Sequence, residues 1–214
     1  MTSIIYTQAS NDLLVCGDED CKAMWDEHFS AINKYVVDTG YVNLWYGQVD
    51  METGKRTGTR FGALEAFFPA VLCLAGDTAR AVRLEESCYK MWNLYGIEPE
   101  ELDYSVMNVT LKQYYLRPEI IESAYYLYHF TGDPKYLEMG KMFFEGLMKY
   151  CKTDVGYAYL QDVTTKEKAD GMESFFFAET MKYLYLLFAP KETIPFESFI
   201  YTTEAHPIRR TWKE

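Results

Sequence analysis

A chain of 214 residues with 49% hydrophobic content is long and apolar enough to fold as one domain around a sizeable core. Its 32 acidic residues outnumber 21 basic ones, and the net charge of -11 repels phosphate backbones and anionic bilayers, which argues against nucleic acid as a partner. No apolar run approaches the roughly 18 residues that span a bilayer, and the opening MTSIIYTQASND lacks the basic flank and apolar stretch of a signal peptide, so membrane insertion by this chain is not expected and any targeting signal is expected outside it.

In chain order, Gly-Asp recurs at Gly17-Asp18, Gly76-Asp77 and Gly132-Asp133, an interval of roughly 57 residues that marks an internal repeat. Glycine ends one helix in a left-handed turn and aspartate caps the next, so each unit reads as a helical hairpin. Helices are predicted after the turns at about 18–37, 78–95 and 134–150, each with a polar face suited to an outer layer. FGALEAFFPAVLCLA, RPEIIESAYYLYHF and MESFFFAETMKYLYLLF are apolar and aromatic on nearly every side, the pattern of helices buried all round in an inner layer. NLWYGQVD, VMNVTL and GYAYLQDV sit at equivalent places between hairpins and read as short strands reaching across one end. The expected fold is all-α, with paired inner and outer helices that either close into an α/α toroid or run on as an open solenoid.

The five cysteines, Cys16, Cys21, Cys73, Cys88 and Cys151, have no zinc-type spacing, and an odd number leaves at least one unpaired. Cys16 and Cys21 either bridge in an oxidising compartment or remain thiols like the rest. Asn108-Val109-Thr110 is a glycosylation acceptor only in a secretory eukaryotic setting. The 19 tyrosines and 4 tryptophans suit sugar stacking as well as a core.

The inner helices carry acids that a core helix avoids. Glu119 and Glu122 share the first-turn face of an apolar helix, with Arg117 as the obvious local partner, and Glu173 and Glu179 repeat the situation in MESFFFAET. Such carboxylates imply an ion-pair network, a metal or a polar cavity, or they are capping acids held by the helix dipole. A glycosidase needs two acidic groups flanking a sugar, and inner-helix carboxylates supply candidates. In IYTTEAHP a β-prone run brings Thr203, Glu204 and His206 together, either as a site whose threonine oxygens favour calcium or magnesium or as a docked tail with His206 in the core.

LRPEIIES at 116–123, MESFFFAETMKYLYLLF at 172–188 and TTEAHP at 202–207, together with AFFPAVLCLAGD at 66–77, resemble glycoside hydrolase family 47, the class I α-1,2-mannosidases with their ER degradation-enhancing mannosidase-like branch. The resemblance covers about residues 15–210 and implies that 1–214 is a single domain, the C-terminal part of an (α/α)7 barrel with small β-hairpins at one end, with residues 1–14 an atypical start. It implies an inverting, calcium-dependent hydrolase that removes terminal α-1,2-linked mannose from oligosaccharides or glycoproteins, and a secretory-pathway or extracytoplasmic setting. By the same resemblance Glu119 is the general base, and Arg117 and Glu122 hold sugar and water. Phe175 packs on the mannose, Glu179 binds its hydroxyls, Thr203 ligates calcium and Glu204 is a neighbouring site residue, with Glu173 a lesser candidate. Two departures stand out. The family's general acid and a catalytic aspartate fall in a half of the domain without counterpart here, and Ala63 stands where several members carry a sugar-contacting histidine. A missing N-terminal half or self-association is therefore expected to complete the barrel. The competing readings are a non-catalytic fragment that keeps a glycan or calcium site, and a helical repeat scaffold that binds another protein.

Overall fold

A computed structural model of the chain describes residues 19–202 and 204–210. Helix α1 (Glu19–Ala31) continues through a π-helical turn at Ile32–Val36, which leads into the short ladder of β1 (Val37–Asp38) and β2 (Trp45–Tyr46). The hairpin β3 (Gln48–Val49) and β4 (Arg56–Gly58) follows, then β5 (Arg60–Gly62) and a 3-10 turn at Ala63–Phe67 leading into α2 (Phe68–Leu74). Next come α3 (Thr78–Asn93), strands β6 (Glu101–Asp103) and β7 (Asn108–Leu111), α4 (Glu119–Thr131) and α5 (Lys135–Tyr150). The hairpin β8 (Leu160–Asp162) and β9 (Glu167–Lys168) precedes a π-helical turn at Phe176–Thr180, α6 (Met181–Phe188), and the terminal hairpin β10 (Phe199–Tyr201) and β11 (Pro207–Arg209). Every ladder is antiparallel, and the largest sheet among the described residues is the three-stranded β5–β6–β7.

The predicted turns form as their chemistry requires. Gly76 and Gly132 adopt φ of +78° and +67°, the left-handed region that only glycine enters without a steric cost. The Asp77 carboxylate accepts from Arg80 N at 3.2 Å and that of Asp133 from Lys135 N at 2.9 Å, so each aspartate satisfies an amide at the start of the next helix. The first turn, Gly17-Asp18, lies outside the described residues, as does Cys16, while Cys73, Cys88 and Cys151 are free thiols.

Helix α4 is the hub. It packs on α2, α3, α5 and α6, and Ile120, Ile121, Ala124, Tyr125 and Leu127 are 1% exposed or less. Two predicted inner helices depart from expectation. In 61–75 only Phe68–Leu74 is α-helical, because Pro69 has no amide to give and belongs in a first turn, while Phe61 and Gly62 join a strand. In 172–188 the first turn is a wide π turn, and α6 is not buried all round: Tyr185 is 63% and Phe188 52% exposed.

Of the predicted strand segments, NLWYGQVD and GYAYLQDV hold first strands, β3 and β8, whereas VMNVTL holds the second strand β7, opposite the unpredicted β6, and three equivalent hairpins form. In each, an aspartate at the end of the first strand accepts from a following amide and hydroxyl: Asp50 from Thr53 Oγ1 (2.7 Å), Asp103 from Ser105 Oγ (2.6 Å) and Asp162 from Thr164 Oγ1 (2.6 Å). Those donors hold all three carboxyls below the ordinary range, Asp162 at about 2. The residue four positions after the aspartate has positive φ each time: Gly54 (+67°), Met107 (+52°) and Lys166 (+66°). Glycine is required only at the first, where an added Cβ would stand 2.7 Å from the Tyr35 ring. Gly54→Ala is therefore expected to cost about 1–2 kcal/mol, whereas in Met107→Gly the relieved strain and the extra chain entropy offset one another to within about 1 kcal/mol. Urea denaturation of the two variants checks this, and equal losses would contradict it.

Candidate active site

The first turn of α4 is held by three neighbours before any side-chain chemistry begins. Tyr114 and Leu160 exchange backbone hydrogen bonds of 2.9 and 3.0 Å, which ties the segment entering α4 to strand β8. Leu116 then takes φ of +63°, a left-handed conformation unusual for a branched side chain, and its carbonyl accepts from buried Thr180 Oγ1 at 2.7 Å. Pro118 has no amide to leave unsatisfied, and its carbonyl receives the amides of Ile121 and Glu122. Ser123, one residue on, donates to Ala66 O at 2.6 Å and fixes α4 to the 3-10 turn before α2.

This frame brings most of the predicted site residues together. Arg117, expected to pair with Glu119, instead forks onto Glu100, with Nη2 to Oε1 at 2.6 Å and Nε to Oε2 at 3.3 Å, and reaches Glu119 through its field. Its guanidinium also lies 5.7 Å from the Phe175 ring centroid and 5.6 Å from that of Tyr115. Glu122 accepts from Tyr183 Oη at 2.8 Å. Glu119 Oε2 is shut off from solvent and has no hydrogen-bond partner among the described residues.

Burial raises the Glu119 carboxyl to about 8, opposed by Arg117 and reinforced by Glu122 and Glu179. Burial likewise raises Glu122 to about 7, against the Tyr183 hydrogen bond and with help from Glu179. Glu179 is raised to about 7 by burial and by the charge of Glu204. The mutual repulsion reflects four glutamates from three separate segments converging on one region, where Glu119, Glu122 and Glu179 hold protons near neutrality. The terminal hairpin that carries Glu204 is anchored by Lys182 Nζ, which donates to Ala205 O at 2.9 Å.

Other expectations fare differently. Thr203 lies outside the described residues. Glu173 is exposed. The docked-tail reading of His206 as a core residue is overturned: its side chain is 65% exposed, 3.9 Å from Glu204. Ala63 is fully buried, and its amide donates to Glu100 O at 2.9 Å. No pattern in the sequence marks Glu100 or Glu98, which stand in a loop rich in acids. Glu98 is nonetheless fully buried, with neither oxygen hydrogen-bonded among the described residues, and burial and then Glu119 push its carboxyl well up. Thr180 and Tyr183 looked like ordinary inner-helix residues, since a lone hydroxyl in an apolar run is equally common in a core.

The raised carboxyls have a signed consequence. A folded-state pKa above the unfolded value of 4.5 means that the folded chain binds protons more tightly, so this stability is complete below about pH 4.5 and is lost as pH rises through 7 to 8. His129, lowered chiefly by burial, acts oppositely and only below about pH 6.5. In chelator-treated buffer the melting temperature is expected to fall between pH 6.5 and 9, and Glu119→Gln, which stays neutral, should flatten that fall. Superimposable calorimetric profiles for the two proteins would refute the assignment.

The chain is similar to known proteins along most of its length. The model of glycosyl hydrolase family 47 matches residues 4–210. Alpha-mannosidase I MNS5 of Arabidopsis thaliana is 38% identical over 205 residues, covering 94% of this chain and 35% of that protein. ER degradation-enhancing alpha-mannosidase-like protein 3 of Homo sapiens is 39% identical over 198 residues, covering 90% of this chain and 20% of its own length. Among solved structures, the alpha-1,2-mannosidase from Trichoderma reesei aligns with a TM-score of 0.80 at 24% identity over 96% of this chain and 50% of that one, so the two share a fold over that region. The chain spans 35% or less of these two curated relatives and half of the solved structure. With the family's own pattern running along nearly the whole sequence, the chain belongs to glycosyl hydrolase family 47.

Proposed function

We propose that this chain supplies the water-activating, mannose-binding side of an inverting glycosidase that removes terminal α-1,2-linked mannose from N-glycans. The observation that carries the reading is Glu119, a carboxyl raised to about 8 with one oxygen unpartnered, on a turn fixed by three neighbours. A general base works best with a pKa near the working pH and a lone pair directed at its proton donor. Glu119 then takes the proton of the water that attacks the anomeric carbon, while Arg117 and Glu122 hold water and sugar. Phe175, beside Arg117, offers an apolar face to the pyranose, and Glu179 and Glu204 accept from sugar hydroxyls.

A calcium ion fits this chemistry. Among the described residues no group of three His, Cys, Asp or Glu forms a ligating cluster, yet the orphaned Glu119 oxygen and the crowd of proton-holding carboxyls form an oxygen-rich region that a hard divalent cation would stabilise. Thr203 would ligate it, with Glu204 alongside. The bound ion would supply a fixed positive charge for sugar hydroxyls and keep nearby carboxyls ionised.

The broader frame belongs to the same proposal. Residues 1–214 form one domain, part of an (α/α)7 barrel whose other part holds the general acid. Exposed aromatics on α6 and α5, including Tyr185 (63%), Phe188 (52%) and Phe144 (38%), suit completion of the ring or self-association. The names of relatives that are ER degradation-enhancing proteins support a secretory-lumen setting with glycoprotein substrates. No helix among the described residues is long and apolar enough to cross a membrane. A binding module without catalysis is the second reading.

Mannose release from α-1,2-mannobiose or a high-mannose glycan, with calcium and with chelator, separates the readings. The expected result is calcium-dependent release that drops at least about 100-fold in Glu119→Gln. Calcium binding by calorimetry without release would instead establish the binding module, and the absence of both would dispose of the proposal.

A further inference from the structure

The asparagines of this chain divide by what the fold does with them. Asn33 donates its carboxamide to Phe29 O at 3.1 Å and accepts from Tyr46 Oη at 2.6 Å, Asn43 accepts from Lys90 Nζ at 2.6 Å, and Asn93 donates to Tyr89 O at 2.9 Å. Asn108 differs: it is exposed, and its side chain enters no hydrogen bond among the described residues. It is also the one asparagine of the chain that is followed two residues on by a serine or threonine, with a residue other than proline between them.

The hairpin treats the two ends of this triplet differently. Asn108 opens β7 opposite Asp103, directly after Met107, whose positive φ of 52° turns the chain. Leu102 pairs with Val109 and Glu101 with Leu111, so Thr110 is the extra residue of a bulge. Its hydroxyl donates to Glu101 Oε1 at 2.6 Å, and Arg60 Nη1 stands 3.6 Å from the same oxygen. The hydroxyl is thus taken up by the neighbouring strand, while the carboxamide stays free beside the turn.

We propose that Asn108 is an N-glycosylation site, whose carboxamide takes an oligosaccharide from a lipid-pyrophosphate donor as the chain enters a secretory lumen. In the transfer, Nδ2 of Asn108 bonds to the anomeric carbon of the donor's first sugar. The bond from that carbon to the pyrophosphate oxygen breaks, the lipid pyrophosphate leaves with the electron pair, and the proton displaced from Nδ2 passes to solvent. The fold sets the order of events. Serine and threonine share a hydroxyl, so a hydroxyl is what the triplet requires at its third position. In the closed hairpin Thr110 gives that hydroxyl to Glu101, so transfer precedes the closure of β6 on β7. Afterwards the oligosaccharide projects from an exposed residue and displaces nothing packed. Val106 and Leu111, 69% and 48% exposed, form an apolar surface on the same hairpin that the innermost sugars would cover. Strand β7 is the outer member of its three-stranded sheet, where a bulky hydrophilic group also hinders pairing with a strand of another chain. This inference rests on the secretory setting proposed above and is independent of the chemistry at Glu119.

The test uses the full chain produced in its own host cell and treated with peptide-N-glycosidase, which cleaves the sugar–asparagine bond and leaves aspartate at an occupied position. Treatment is expected to increase gel mobility, with mass spectrometry finding aspartate at position 108. Asn108→Gln and Thr110→Val should each abolish the shift, and Thr110→Ser, which keeps the hydroxyl, should retain it. Protection from protease inside sealed vesicles reports separately whether the chain is luminal. A luminal chain that the glycosidase leaves unchanged, or a shift that survives Asn108→Gln, overturns the inference while the secretory setting stands. A chain that is neither protected nor glycosylated defeats both.

Discussion

Everything in this fold answers to the need to enclose α4. A helix apolar on every side gains nothing until neighbours cover every side, and here α2, α3, α5 and α6 do so in turn. Its N-terminus makes a different demand, because the first amides of a helix have no partners within it and acids there sit at the positive end of its dipole. Thr180 and the Tyr114–Leu160 bridge fix the chain that enters the helix, and Ser123 within it ties its first turns to Ala66. The elements that complete the core are thus the elements that locate Glu119, and a packing defect at this end of α4 would be felt directly as a misplaced carboxyl.

The carboxyls themselves run against the logic of stability. Glu98, Glu119, Glu122 and Glu179 all have their proton affinity raised chiefly by burial, and none has a close cation of its own, since Arg117 is committed to Glu100. A core selected for stability alone would replace such groups with apolar ones or pair them. Buried acids without counter-ions make sense where something else is to be bound, whether a proton in transit, a cation or the hydroxyls of a sugar.

Much of this was legible in the sequence because it rests on local chemistry. Glycine and aspartate at the hairpin turns announce their roles through backbone conformation and capping, and the period of the repeat followed from them. The spacing of Glu119 and Glu122 placed both acids on one turn of a helix whose other residues are apolar, and the structure keeps them there. What stayed hidden depends on partners distant in the chain. The choice of Glu100 by Arg117 is a matter of 17 residues of separation closing to 2.6 Å, and Tyr183 meets Glu122 across 61 residues. Nothing in either local sequence distinguishes those residues from their neighbours. The π turn at Phe176–Thr180 escaped for a related reason: widening a single turn by one residue is too small a change for apolar periodicity to register.

The hairpins add a last step. All three use an aspartate and a nearby hydroxyl to shape the turn and a left-handed residue four positions on, yet their outer residues differ freely. A turn specified by backbone geometry leaves the flanking strand positions available to vary, and Tyr115 and Tyr159, whose rings meet, occupy such positions, one on the chain entering α4 and one beside β8. The repeat thus divides the labour: inner helices carry the acids whose placement the fold must defend, and the hairpin ladder presents side chains that change without disturbing them. A substitution on that ladder alters a contact surface and leaves the packing of α4 intact.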